Sequence, residues 1–147
     1  MIKVIALGNT LMEDDGIGIV VVNKLKETLE KNNIDVIIGE TDFDFCISQI
    51  QDGDFIFFVD AAFYGKCPGE ITVTPLNKYK NKCYFQHNIS AIDMVKSHFK
   101  NIKGYVIGIE ISSVSFKYGI SNFLKNIIHV ISENVLKEIL GGKTIEV

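Results

Sequence analysis

The segment Asp54–Val59 reads Asp-Phe-Ile-Phe-Phe-Val, an apolar run with no polar position once it has begun. A strand that wets one face alternates polar and apolar residues, so an unbroken run needs cover on both faces. That demand calls for helices above and below a sheet, and the rest of the chain supplies them. Ile2–Leu7 is a β-branched run ending in Gly8-Asn9, and Ile17–Leu29 places Ile17, Val20, Val21, Leu25 and Leu29 at helical spacing. Asn32-Asn33 stops that helix. Ile34–Ile38 reads as a second strand, and Phe45–Ile50 as a short helix with Asp42 or Asp44 as cap. The third strand ends on Asp60. After the Cys67-Pro68-Gly69 turn, Gly69–Val73 is a fourth strand; His87-Asn88-Ile89-Ser90 opens a helix reaching Phe99. Gly104–Ile109 is a further strand, and Ser121–Leu140 a closing helix before a Gly141-Gly142 stop. Strands alternating with helices predict an α/β fold, a three-layer α/β/α sandwich whose twisted, mostly parallel sheet has about five strands. A chain of 147 residues forms one domain, 1–147, with a core of its own.

In such sheets ligands sit beyond the carboxyl ends of the strands. Three acids, Glu13, Asp14 and Asp15, lie there between the first strand and the first helix, and Asp60 lies at the tip of the third strand. Adjacent strands are about 4.8 Å apart, so Asp15 and Asp60 can meet over one edge. His87, at a helix start, can reach the same rim. Two carboxylates and an imidazole with open positions suit a divalent transition metal such as nickel or zinc better than calcium. Each residue also has a purely structural reading. Acids before a helix serve as caps and dipole partners, Asp60 can tie down its own loop by an Asx turn, and histidines such as His98 and His129 sit within helices without a task.

Charge and motif content narrow the function classes. The net charge is −3, all fifteen basic residues are lysine, and no dense cluster of them points to nucleic acid. The absence of arginine removes a bidentate anion clamp. No apolar run approaches the roughly 20 residues of a membrane span, and the amino terminus does not resemble a signal peptide. Cys46, Cys67 and Cys83, an odd number with no CxxC pair, read as reduced thiols in a protein expected to be cytoplasmic. Cys83 and His87 stand four apart, yet their surroundings read as loop or strand, where the pair would not share a helical face. No GxSxG elbow or P-loop occurs, and Gly8, Gly16 and Gly18 lack dinucleotide-binding spacing.

Taken together, these landmarks resemble the hydrogenase maturation endopeptidases, which trim the large subunit of nickel–iron hydrogenases. The resemblance rests on Gly8-Asn9-Thr10-Leu11-Met12-Glu13-Asp14-Asp15-Gly16-Ile17-Gly18 and on Val59-Asp60-Ala61 followed by Gly65-Lys66-Cys67-Pro68-Gly69-Glu70-Ile71. It continues through Gln86-His87-Asn88 and Gly108-Ile109-Glu110. It implies that Asp15, Asp60 and His87 are the metal-contacting and catalytic residues. The implied reaction is one cut that removes a carboxyl-terminal extension once nickel is installed. Nickel then belongs to the substrate and acts as a checkpoint, although zinc or cadmium also fits such a site. The implied partner is the hydrogenase large-subunit precursor, met by a monomer, with no nucleic acid and no membrane involved.

The chain departs from the family pattern in three places. Phe63-Tyr64 stands where a second acid often follows the third-strand Asp. Gly39-Glu40-Thr41-Asp42-Phe43 replaces a glycine-rich stretch, and Glu110-Ile111 replaces Gln-Pro. These differences bear on the substrate and leave the three ligands intact. Two other readings share the landmarks: a docking module that binds a metalloprotein without cutting, and a receiver-type phospho-acceptor domain. The receiver reading lacks a lysine after the Gly104–Ile109 strand. Phe43, Phe45, Phe63 and Tyr64 read either as core or as an apolar docking rim.

Overall fold

Phe57 and Val59 face one core and Ile56 and Phe58 the opposite one, all four essentially without solvent contact. The apolar run is therefore a strand covered on both sides, as its composition demands. In the computed structural model, which describes residues 1–80 and 90–145, this strand, β3, spans Phe55–Ala62. Before it come β1 (Ile2–Leu7), a 3-10 turn (Glu13–Gly16), α1 (Ile17–Lys31), β2 (Asp35–Glu40) and α2 (Phe43–Ser48). After it come β4 (Ile71–Pro75), α3 (Ala91–His98), β5 (Lys103–Glu110) and α4 (Asn122–Ile145).

The sheet order is β2-β1-β3-β5-β4. The first four are parallel, with Val4 opposite Phe57 and Asp60 opposite Gly108, whereas β4 runs antiparallel at the edge, Val73 opposite Ile107. Helices α1 and α4 cover one face through Ile17, Val21, Leu25, Leu124, Ile131 and Val135. Helices α2 and α3 cover the other through Cys46, Ile92 and Val95. Each large apolar side chain so buried contributes about 1.5–3 kcal/mol relative to exposure, which makes this two-sided core the fold's main anchor. The three-layer sandwich expected from the alternation of elements is the one observed.

Several boundaries differ from the sequence reading. Asp60 lies inside β3 rather than at its end, because the pairing with β5 continues through Ala62 opposite Glu110. Helix α4 runs through Gly141-Gly142 instead of stopping there; a helical glycine costs about 1 kcal/mol against alanine, which weakens a helix without ending it. Asp42 is the α2 cap, its Oδ1 accepting from the Phe45 amide at 2.9 Å, and Ser90 caps α3 by accepting from the Asp93 amide at 3.1 Å. Among the described residues no helix is long and apolar enough to cross a membrane.

One glycine fixes the layer that matters most. A Cβ on Gly18 would stand 2.5 Å from the Val59 carbonyl oxygen and 3.1 Å from that of Leu7. Only a residue without a side chain lets the start of α1 rest on the carboxyl ends of β1 and β3. The 3-10 turn just before it is thereby held over the same edge as Asp60.

Candidate active site

The loop leaving β1 is built around Asp15. Gly8 adopts φ +137°, and its α-carbon passes so close to the Asp15 carbonyl that a side chain has no room. Asp15 Oδ2 accepts a hydrogen bond from the Asn9 amide at 2.9 Å, and Asn9 Oδ1 accepts from the Leu11 amide at 2.9 Å. The loop thus closes on its own carboxylate. Burial raises the Asp15 pKa above the ordinary 3.8, with the Asn9 N–H acting in the opposite direction.

Asp60 meets this group from β3. Burial, then the nearby charge of Asp15, raise its pKa to about 7, against the Ala61 amide that donates to its Oδ1 at 2.8 Å. Two acids that resist ionising together form a site that a cation would relieve. The Asp60 bond to Ala61 is to its immediate neighbour within the strand, so the residue does not close a turn. Tyr64 borders the pair: burial and the charges of Asp60 and Glu110 push its hydroxyl above 10.0. Glu110, buried at the end of β5, receives the Tyr64 amide at 3.0 Å on both carboxylate oxygens.

The structure brings together Asp15 and Asp60. His87 and its neighbour Cys83 lie outside the described residues, and among the described residues no cluster of three metal-binding side chains occurs. Cys46 is buried against Gly39, and burial followed by the Asp42 charge pushes its thiol to about 11, an inert state. Cys67 is exposed and unpaired.

Glu13 and Asp14 correct an expectation. They do not cap α1, whose N-cap is Gly16 without a side-chain bond. Asp14 is fully buried and accepts from the amides of Ser112 (3.0 Å), Ser113 (2.9 Å) and Ser121 (2.6 Å), and from the Ser121 hydroxyl (2.8 Å). Glu13 accepts from the hydroxyls of Ser113 (2.7 Å) and Ser115 (3.1 Å) while its backbone holds φ +48°. Both acids latch the 112–121 loop and the head of α4 onto the Asp15 turn. The sequence reading did not find these donors, because the serines that satisfy both buried acids lie about a hundred residues further along the chain.

The aromatic question divides. Tyr64 and Phe45 are exposed, whereas Phe43 is half-buried against the α2–α3 core and Phe63 is half-buried. A larger apolar fringe was not anticipated: Phe116 and Tyr118 are 84% and 78% exposed on the latched loop.

Comparison with known proteins bears on the family and the fold. The sequence model of HycI, described as hydrogenase maturation protease, matches residues 19–138. A Methanocaldococcus jannaschii protein carrying the provisional name hydrogenase maturation protease is 30% identical over 147 residues, 94% of this chain and 96% of its own. The fold superposes on the Escherichia coli hydrogenase maturating endopeptidase HybD with a TM-score of 0.71 at 20% identity, covering 96% of this chain and 93% of HybD. The E. coli endopeptidase HycI gives 0.68 at 26% identity, covering 90% and 88%. With a family match over most of its length and that identity across nearly all of it, this chain belongs to the hydrogenase maturation protease family, a family of hydrolases.

Proposed function

We propose that this protein is the endopeptidase that removes the carboxyl-terminal extension of a nickel–iron hydrogenase large-subunit precursor after nickel insertion. Asp15, Asp60 and His87 contact the metal held by the substrate. The observation that carries the reading is the Asp15–Asp60 pair. A carboxylate from the turn after β1 and one from within β3 interact electrostatically, and each is held above its ordinary pKa. Such a pair takes up a divalent cation favourably, because the ion removes the repulsion and replaces lost solvation. A site of so few ligands leaves open positions, so it can test a metal already bound by substrate thiolates without extracting it. Docking on that metal also orients the scissile bond, which turns recognition into positioning.

The deciding experiment is a cleavage assay on the nickel-loaded and nickel-free large-subunit precursor from the same genome. Wild-type protein is compared with Asp15→Asn, Asp60→Asn and His87→Ala, each checked for folding. The expected result is nickel-dependent release of a carboxyl-terminal peptide, abolished in all three variants. Binding without cleavage by wild-type protein would replace the protease with a docking module. Cleavage that persists in the variants would remove these residues from the mechanism.

A further inference from the structure

Beside the Asp15 turn, on the α1–α4 side, lies a cleft of about 400 Å³, within the ~300–1,000 Å³ range of pockets that enclose small ligands or a few side chains. Val20 of α1, Ile120 of the loop before α4 and Ile128 of α4 give it apolar walls, and Tyr118, 78% exposed, also lines it. Thr10, Glu13 and Gly16, from the loop that carries Asp15, also line it. Two lysines, Lys24 and Lys125, also line it, and among the described residues neither has an ion-pair partner. The one acid of the lining, Glu13, is only 6% exposed and already engaged with the Ser113 and Ser115 hydroxyls. The cleft therefore offers apolar walls with an excess of positive charge, two exposed lysines against one buried carboxylate. Its complement is an apolar peptide segment carrying a carboxylate.

We infer that this cleft binds the carboxyl-terminal segment of the precursor, its apolar side chains between Val20, Ile128 and Tyr118 and its free α-carboxylate against Lys24 and Lys125. The inference rests on the proposed protease reading, which supplies a substrate cut near a free carboxyl end. It gives that site a direction. The metal-bearing side of the substrate faces Asp15 and Asp60, and the part to be released lies along the α1–α4 cleft.

The test uses a synthetic peptide with the sequence of the extension, prepared as free acid and as carboxamide, with binding followed by fluorescence polarisation. Wild-type protein is expected to bind the free acid roughly fivefold more tightly than the amide, the modest gain of two exposed ion pairs. The double variant Lys24→Gln/Lys125→Gln should lose that discrimination, and Tyr118→Ala should weaken both peptides alike. Equal binding of acid and amide by wild-type protein, or discrimination kept by the double variant, overturns the inference. Precursor cleavage separates the two readings. If wild-type protein cuts and the folded double variant cuts with the same KM, the cleft assignment falls while the protease stands. If wild-type protein never cuts the precursor, the protease falls and the occupant assigned to the cleft falls with it.

Discussion

Replacing Asp60 by asparagine should make the metal-free protein more stable at pH 8 while removing its activity. A carboxyl whose folded pKa lies above its unfolded one binds its proton more tightly in the folded chain. The stability it contributes is complete below about pH 3.8 and is lost as pH rises through about 7. The interval between those two values corresponds to ~4 kcal/mol. Asp60 keeps partial contact with solvent, which screens its charge, so we take half of that, ~2 kcal/mol. For a chain of this size the gain amounts to about 6 °C in Tm. Urea unfolding of wild-type protein and Asp60→Asn in chelator, at pH 4.5 and pH 8, measures it. The gain should be full at pH 8 and fall to ~1 kcal/mol at pH 4.5, a pH still above the unfolded value of 3.8. It should shrink in an Asp15→Asn background, because the second cause of the shift is then gone. A gain of equal size at both pH values, or destabilisation at pH 8, would refute the reasoning.

Two further outcomes follow from the geometry. Asp14→Ala strands the buried amides of Ser112, Ser113 and Ser121 and should cost about 3–4 kcal/mol in urea unfolding; a loss below 1 kcal/mol would mean the latch is dispensable. Gly18→Ala improves helix propensity by ~1 kcal/mol, yet its Cβ meets the carbonyl oxygens of Val59 and Leu7. The net effect should be a destabilisation of about 2 kcal/mol, and a stabilised variant would show that α1 does not rest on those strand ends.

The fold was legible because β1 and β3 say in their composition which surfaces they need. Phe55–Val59 cannot face water, and the periodic spacing of Ile17–Leu29 provides what covers it. The approach of Asp15 to Asp60 was legible for a similar reason: topology places the turn after β1 and the last residues of β3 over one edge of the sheet. What sequence did not reveal was long-range. The partners of Asp14 lie about a hundred residues away, and local spacing carries no trace of such a bond. The end of α4 was misplaced because glycine is a weak penalty, and neighbouring packing decides whether it stops a helix. Lys24 and Lys125 lie far apart in sequence, and only the packing of α1 beside α4 brings them to one cleft.

The Asp14 latch also ties the site to the order in which the chain becomes complete. Its acceptor is made first, and its donors, Ser112, Ser113 and Ser121, arrive between 98 and 107 residues later. Closing a loop of that length costs about 4 kcal/mol of chain entropy, to be met by the sheet and core assembled in between. A nascent chain that has not reached Ser112 holds none of these donors. The turn carrying Asp15 is thus fastened to the head of α4 only after β5 has been made, so a chain cut short before Ser112 lacks the latch that holds this turn.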